Sequence, residues 1–131
     1  MMPNQTPDSV LHLLTARLAA RGLTVSCAES CIPRLPGSSA WFETGFVTYS
    51  NEAKQRLLGV SADSLRQYGA VSEAVVHEMA AGARQAADAD YALSISGIAG
   101  PDGGSPEKPV GTVCFGLADR HTTYARTARF N

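Results

Sequence analysis

The sequence predicts an α/β fold: a three-layer α/β/α sandwich with a central sheet, helices on both faces and a C-terminal hairpin. Two observations predict it. Helical and strand-like periodicities alternate from Thr6 to Gly97, and two consecutive strand patterns, TVCFGLAD and TYARTARF, then follow around a turn at Arg120-His121. No repeat and no interdomain linker interrupts the chain, so residues 1–131 read as one domain.

Each element has its own signal. Thr6-Pro7 is an N-cap followed by proline at the first helical position, and Val10, Leu11, Leu14 and Leu18 mark one apolar stripe ending at Gly22. LTVSCAES reads as a short buried strand and GFVTYS as a second one centred on Phe46 and Val47. Ser50 caps a helix through NEAKQRLLG that stops at Gly59, and Ser61 caps another to about Tyr68. Ser72-Glu73 opens a longer helix with Val75, Val76, Met79, Ala80, Ala83 and Ala87 facing inward; its small alanines predict close packing. YALSISG reads as a core strand.

Composition bounds the function. The chain has 131 residues, 44% of them hydrophobic, which suits a single globular core rather than disorder. Eleven basic against twelve acidic side chains leave a formal charge of −1, so no summed positive field exists to hold a nucleic-acid backbone. No apolar run reaches the roughly 18 residues of a membrane span and no leader pattern is present, so a cytoplasmic protein is expected. Cys27, Cys31 and Cys114 fit reduced thiols; no histidine lies near the first two in sequence, so small buried fillers are expected there rather than a metal site. His12, His77 and His121 are scattered without a partner pattern and read as surface residues, while Trp41 and Phe42 read as core anchors.

Two stretches carry candidate chemistry. GIAGPDGGSPEKPVG, Gly97 to Gly111, leaves the end of a buried strand, where ligands sit in open α/β sheets, and prolines at 101, 106 and 109 argue for rigidity over a loose surface connection. GSSAWFETGFVTYSNEAK, Gly37 to Lys54, holds Ser39, Tyr49 and Lys54 where a strand feeds a helix. A serine hydroxyl is a weak nucleophile until a base takes its proton, and a lysine can do so only when neutral. A lysine in the first turn of a helix meets the positive end of the macrodipole, which disfavours an ammonium. Spacing alone does not bring Ser39 to Lys54, and the ordinary readings are a solvated helix lysine, a turn serine and a strand-end tyrosine. Ser30 and Cys31, with Glu29 beside them, are rival nucleophile and acid or base candidates at the end of the first strand.

AESC (Ala28 to Cys31), PGSSAWFETGFVTYSNEAK (Pro36 to Lys54), YGAVSE (Tyr68 to Glu73) and SGIAGPDGGSPEKPVGTV (Ser96 to Val113) together closely resemble the C-terminal domain family of the competence/damage-inducible protein CinA, which also occurs as stand-alone nicotinamide-nucleotide amidohydrolases of the PncC type. The resemblance implies hydrolysis of the carboxamide of nicotinamide mononucleotide to nicotinic acid mononucleotide and ammonia, with no metal or organic cofactor. It puts the family's Ser–Tyr–Lys set on Ser39, Tyr49 and Lys54; substrate-binding groups are expected at the strand end, Glu29 and Ser30, and in the glycine-rich loop, Gly97, Ala99, Gly100 and Gly111, with phosphate and oxyanion binding not divided between them. The implied partner is a small molecule, with neither nucleic acid nor membrane; oligomeric state, a homodimer included, stays open. The rival function is a catalytically silent CinA-like interaction module linked to competence or DNA damage.

Two departures from the family pattern stand out. IPRL joins Cys31 to Pro36 where members of the family usually continue with TGG and a helix, and the family usually carries a further C-terminal helix after the point where this chain ends. Pro33 and Pro36 leave no room for a helix in IPRL. The favoured expectation is that the sequence lacks mobile residues there, next to the pocket, and the other is a true truncation.

Overall fold

The computed structural model describes residues 7–28, 40–98 and 103–130. Helix α1 runs Pro7–Arg21 and ends at Gly22, which takes the left-handed φ of 62°. Strand β1, Val25–Ala28, is buried along its whole length. Strand β2 is Phe42–Phe46, helix α2 Asn51–Leu58, α3 Ala62–Tyr68 and α4 Glu73–Ala87. Strands β3 (Tyr91–Gly97), β4 (Thr112–Ala118) and β5 (Thr123–Arg129) complete the chain.

The three helix starts expected at Ser50, Ser61 and Ser72 are all present. Each serine is extended, and its side-chain oxygen accepts from the backbone N–H three residues on, at Ala53, Ser64 and Val75. Gly59 ends α2 with φ 71°, as its place in the sequence predicts. The final hairpin is also as expected: Asp119 Oδ1 accepts from the N–H groups of His121 and Thr122, both at 2.7 Å. Those two donors hold the Asp119 carboxyl below its ordinary value.

One boundary differs. The second strand is FETGF rather than GFVTYS, so Phe46 is its last residue and Val47 is half exposed beyond it. The reason lies in the next helix. Thr48 is fully buried and turns its carbonyl to the Lys54 Nζ, and Ser50 must reach the α2 cap; a chain still paired in the ladder could do neither.

The sheet order is β2-β1-β3-β4-β5. Strand β1 lies parallel to both β2 and β3, whereas β3–β4 and β4–β5 are antiparallel. One face carries Ala28, Ala92 and Cys114 against Val75, Val76, Met79 and Ala83 of α4, with Leu58 of α2 and Leu65 of α3 in the same cluster. On the other face Leu18 of α1 packs with Val25, Trp41, Phe42 and Tyr91. Helices therefore cover both sides, as predicted, but α1 covers its side incompletely. Leu14, Leu93 and Leu117 stay partly exposed along an apolar groove of about 380 Å³ that Arg17 and Arg21 also line.

Two glycines set how closely α4 approaches its neighbours. A Cβ on Gly116 would fall 2.3 Å from Ser94 Oγ and 2.4 Å from the Val76 carbonyl oxygen. Without it, Ser94 Oγ donates to that carbonyl at 2.6 Å and ties β3 to α4. A Cβ on Gly82, in the middle of α4, would fall 1.8 Å from the Leu58 carbonyl oxygen at the end of α2.

At the opposite end of the sheet Asp90 fastens β3 to β1. Its Oδ2 accepts from Thr24 N (2.9 Å) and Thr24 Oγ1 (3.2 Å), and its Oδ1 from Arg120 (2.8 Å). The backbone N–H of Thr24, followed by Arg120, lowers the Asp90 carboxyl below its ordinary value, against an opposing effect of burial. Arg120 is largely exposed, so most of the clamp's worth lies in the Thr24 hydrogen bonds rather than in the ion pair.

Two outcomes are expected. Gly82→Ala should lower stability by about 2 kcal/mol in urea unfolding, although alanine is the better helix former by about 1 kcal/mol, because the added methyl has no space. Asp90→Ala should cost about 1–2 kcal/mol at neutral pH. Because the folded-state carboxyl is depressed, its contribution is complete above about pH 4 and disappears as the pH falls through the folded value, so wild type and variant should converge in acid unfolding curves.

Candidate active site

The C-terminal ends of the parallel strands point to one region, and there α2 begins. Lys54 is the fourth residue of α2, only 4% exposed, and its Nζ donates to the Thr48 carbonyl of the turn that leads into the helix. The side chain therefore folds back beneath its own entry turn instead of reaching into solvent. Tyr49, between Thr48 and the Ser50 cap, is 89% exposed.

Lys54 and Tyr49 line a common cavity of about 290 Å³. Its other walls are Ile95, Ser96 and Gly97 at the end of β3, and Ala70 and Val71 from the connection between α3 and α4. The cavity thus brings an amine, a phenol and a hydroxyl to the mouth of the sheet, a combination suited to moving a proton beside a bound polar ligand. The apolar groove beneath α1 is larger but has no comparable set of hydroxyl and amine groups.

Of the residues singled out in the sequence, the structure brings Tyr49, Lys54 and Gly97 together. Ser39, Glu29, Ser30, Cys31, Ala99 and Gly100 lie outside the described residues. Gly111 is not a wall of this cavity. It takes φ 94°, its N–H donates to Ile98 O at 2.9 Å, its carbonyl accepts from Phe130 at 2.8 Å, and a Cβ there would fall 1.8 Å from Phe130 O. Its glycine is thus required by the crossing of the loop base with the last strand.

Ser96, Ala70 and Val71 were not singled out. Ser96 had a legible signal: in YALSISG it shares the alternation of Ala92 and Ser94, a polar residue on the core-facing period at the strand's C-terminal end. Ala70 and Val71 lie inside the YGAVSE block, but nothing in that block marks a cavity wall; they reach the cavity only through the packing of α3 and α4. Trp41 is a core residue at 6% exposure, and His12, His77 and His121 are exposed. Among the described residues no group of three His, Cys, Asp or Glu side chains could hold a metal ion, and no helix is long and apolar enough to cross a membrane.

Residues 8–131 match the model of the CinA C-terminal domain. The chain is 64% identical over 113 residues to a nicotinamide-nucleotide amidohydrolase PncC of Enterobacter agglomerans, covering 80% of this chain and 69% of the relative. It is 65% identical over 109 residues to the protein of the same name from Escherichia coli K12, covering 77% and 66%. Among solved structures, the competence/damage inducible protein CihA from Agrobacterium tumefaciens superposes with a TM-score of 0.88 at 37% identity, over 99% of this chain and 86% of that one. A competence or damage-inducible protein from Enterobacter asburiae does so at 0.87 and 38%, over 98% and 86%. With sequence and backbone in agreement along nearly its whole length, the chain belongs to the CinA C-terminal domain family.

Proposed function

We propose that this protein is a nicotinamide-nucleotide amidohydrolase, converting nicotinamide mononucleotide and water to nicotinic acid mononucleotide and ammonia. The observation that carries the reading to this chain is the buried Lys54 amine in a cavity at the sheet's C-terminal mouth, flanked by Tyr49 and Ser96. The names of relatives at 64% and 65% identity support the same substrate.

The mechanism pairs a Ser39 nucleophile with a Lys54 base. The Lys54 amine takes the Ser39 proton, the alkoxide attacks the carboxamide carbon, and the tetrahedral intermediate collapses with cleavage of the C–N bond. The departing nitrogen receives its proton from Lys54 and leaves as ammonia. Water then loses a proton to the same amine and attacks the resulting ester, releasing the carboxylate and restoring the serine. Tyr49, at the rim, orients the amine or relays the proton. The amides of Ile98 and Gly111 are engaged, with Thr112 O and Ile98 O respectively at 2.9 Å. Oxyanion donors are therefore sought near Ser39 or elsewhere in the glycine-rich loop. The enzyme works in the cytoplasm on a small molecule, without contacting nucleic acid, in keeping with its formal charge of −1.

Ammonia release from nicotinamide mononucleotide by the purified chain tests the proposal; a chain that binds the nucleotide without turning it over would be a silent module instead. Lys54→Met, close in volume, should lower kcat by roughly 10²–10⁴-fold, the usual range for a lost general base, with the far-UV spectrum unchanged. Ser39→Ala should abolish turnover, and retained activity would move the nucleophile to Ser30 or Cys31. Tyr49→Phe should lower kcat without shifting the thermal midpoint, since an 89% exposed ring contributes little packing.

A further inference from the structure

The cavity wall opposite β3 is a short irregular stretch. Ala70 and Val71 sit between the end of α3 and the start of α4, after Gly69, whose φ of 78° and ψ of 167° lie outside helical space. Val71 also lines a second and larger cavity of about 530 Å³, together with Tyr68, Ser72, Lys108, Cys114 and Thr127. Ala70 and Val71 pack against the core cluster on one side, and on the side of the larger cavity another group must hold the stretch in place.

Lys108 does so. It comes from the SPEKP segment of the loop between β3 and β4, and its Nζ donates to the carbonyl of Tyr68, the last residue of α3. That carbonyl lies among the group that a helix C-terminus leaves without an intrahelical partner, at the negative end of the macrodipole, where a cation is favoured. Lys108's own backbone is held by the loop: its N–H donates to Ser105 Oγ at 3.0 Å and its carbonyl accepts from Ser105 N at 2.9 Å. Further along, Thr112 Oγ1 donates to Pro109 O at 2.6 Å, and the base of the loop closes through Gly111 and Ile98 beside Gly97. One continuous set of bonds therefore runs from the β3 wall, through the loop and the Lys108 ammonium, to the 69–71 wall.

We infer that Lys108 is a positioning residue for the active site: it braces the Ala70–Val71 wall against the β3–β4 loop and so sets the width of the cavity that receives the substrate. The inference rests on the amidohydrolase reading for its kinetic consequence, but the brace itself can be observed without any substrate. Ser72 Oγ, which donates to Gly69 O at 2.8 Å, holds the same turn from the α4 side, so losing Lys108 loosens the wall without unfolding it.

The experiment compares Lys108→Met and Lys108→Arg with wild type, in ammonia release from nicotinamide mononucleotide and in amide hydrogen exchange. Lys108→Met should raise KM by tenfold or more with kcat within threefold, and should speed exchange in peptides covering 69–72 while those of β1 and β3 stay unchanged. Lys108→Arg, which can still donate to the Tyr68 carbonyl, should restore both to within threefold of wild type. Unchanged exchange at 69–72 in Lys108→Met overturns the brace. Faster exchange with unaltered KM overturns the positioning role. A wild-type chain that releases no ammonia overturns the amidohydrolase reading, and the exchange measurement then decides the brace by itself.

Discussion

Gly116 lets α4 lie directly on the sheet, and much of the molecule depends on that contact. Ser94 can donate to a carbonyl in the body of α4 only because no side chain stands between strand and helix. The same closeness is repeated one layer out, where Gly82 admits the last turn of α2. Interiors are packed densely enough that a single methyl at either place would force the layers apart. Since α2 carries Lys54 and the start of α4 carries the wall that faces it, the spacing of these layers also sets the spacing of the site.

The site follows from how the chain leaves the sheet. A parallel arrangement of β1, β2 and β3 gathers their C-terminal ends at one edge, where the turn from β2 into α2 begins and the chain leaves β3. Strand β2 leaves early, so that Thr48 and Ser50 can serve the beginning of α2; this brings the Lys54 amine under the turn instead of into solvent. Beyond β3, the described part of the glycine-rich loop is held by hydrogen bonds among Ser105, Lys108, Pro109, Gly111, Thr112 and Ile98. The Asp90 clamp at the far end of the sheet keeps β1 and β3 in register from the other side.

Much of this was legible in the sequence because it depends on local chemistry. Serine caps at 50, 61 and 72 and the stop at Gly59 satisfy backbone groups within a few residues, so their signals lie within a few residues too. The inward face of α4 follows from its period, and the final hairpin from two adjacent strand patterns joined at Arg120-His121. The bounds of β2 were not legible, because FETGF and GFVTYS are both plausible strands and the competition is settled by a lysine eight residues past Phe46. Nor was the role of Gly111, whose glycine answers to Phe130, a residue far along the chain that crosses it.

The sequence by itself determined the class of fold, the order of its elements, the placing of Lys54 in the first turn of a helix and the family to which the motifs belong. All of these rest on interactions between near neighbours or on long contiguous blocks. Only the tertiary structure decided that Tyr49 and Lys54 share a cavity with Ser96 and Gly97, that Ala70 and Val71 close it, and that Lys108 reaches Tyr68, 40 positions away in sequence. Those arrangements come from helices seated on a sheet at distances set by missing Cβ atoms, and a pattern along one chain contains no measure of such distances.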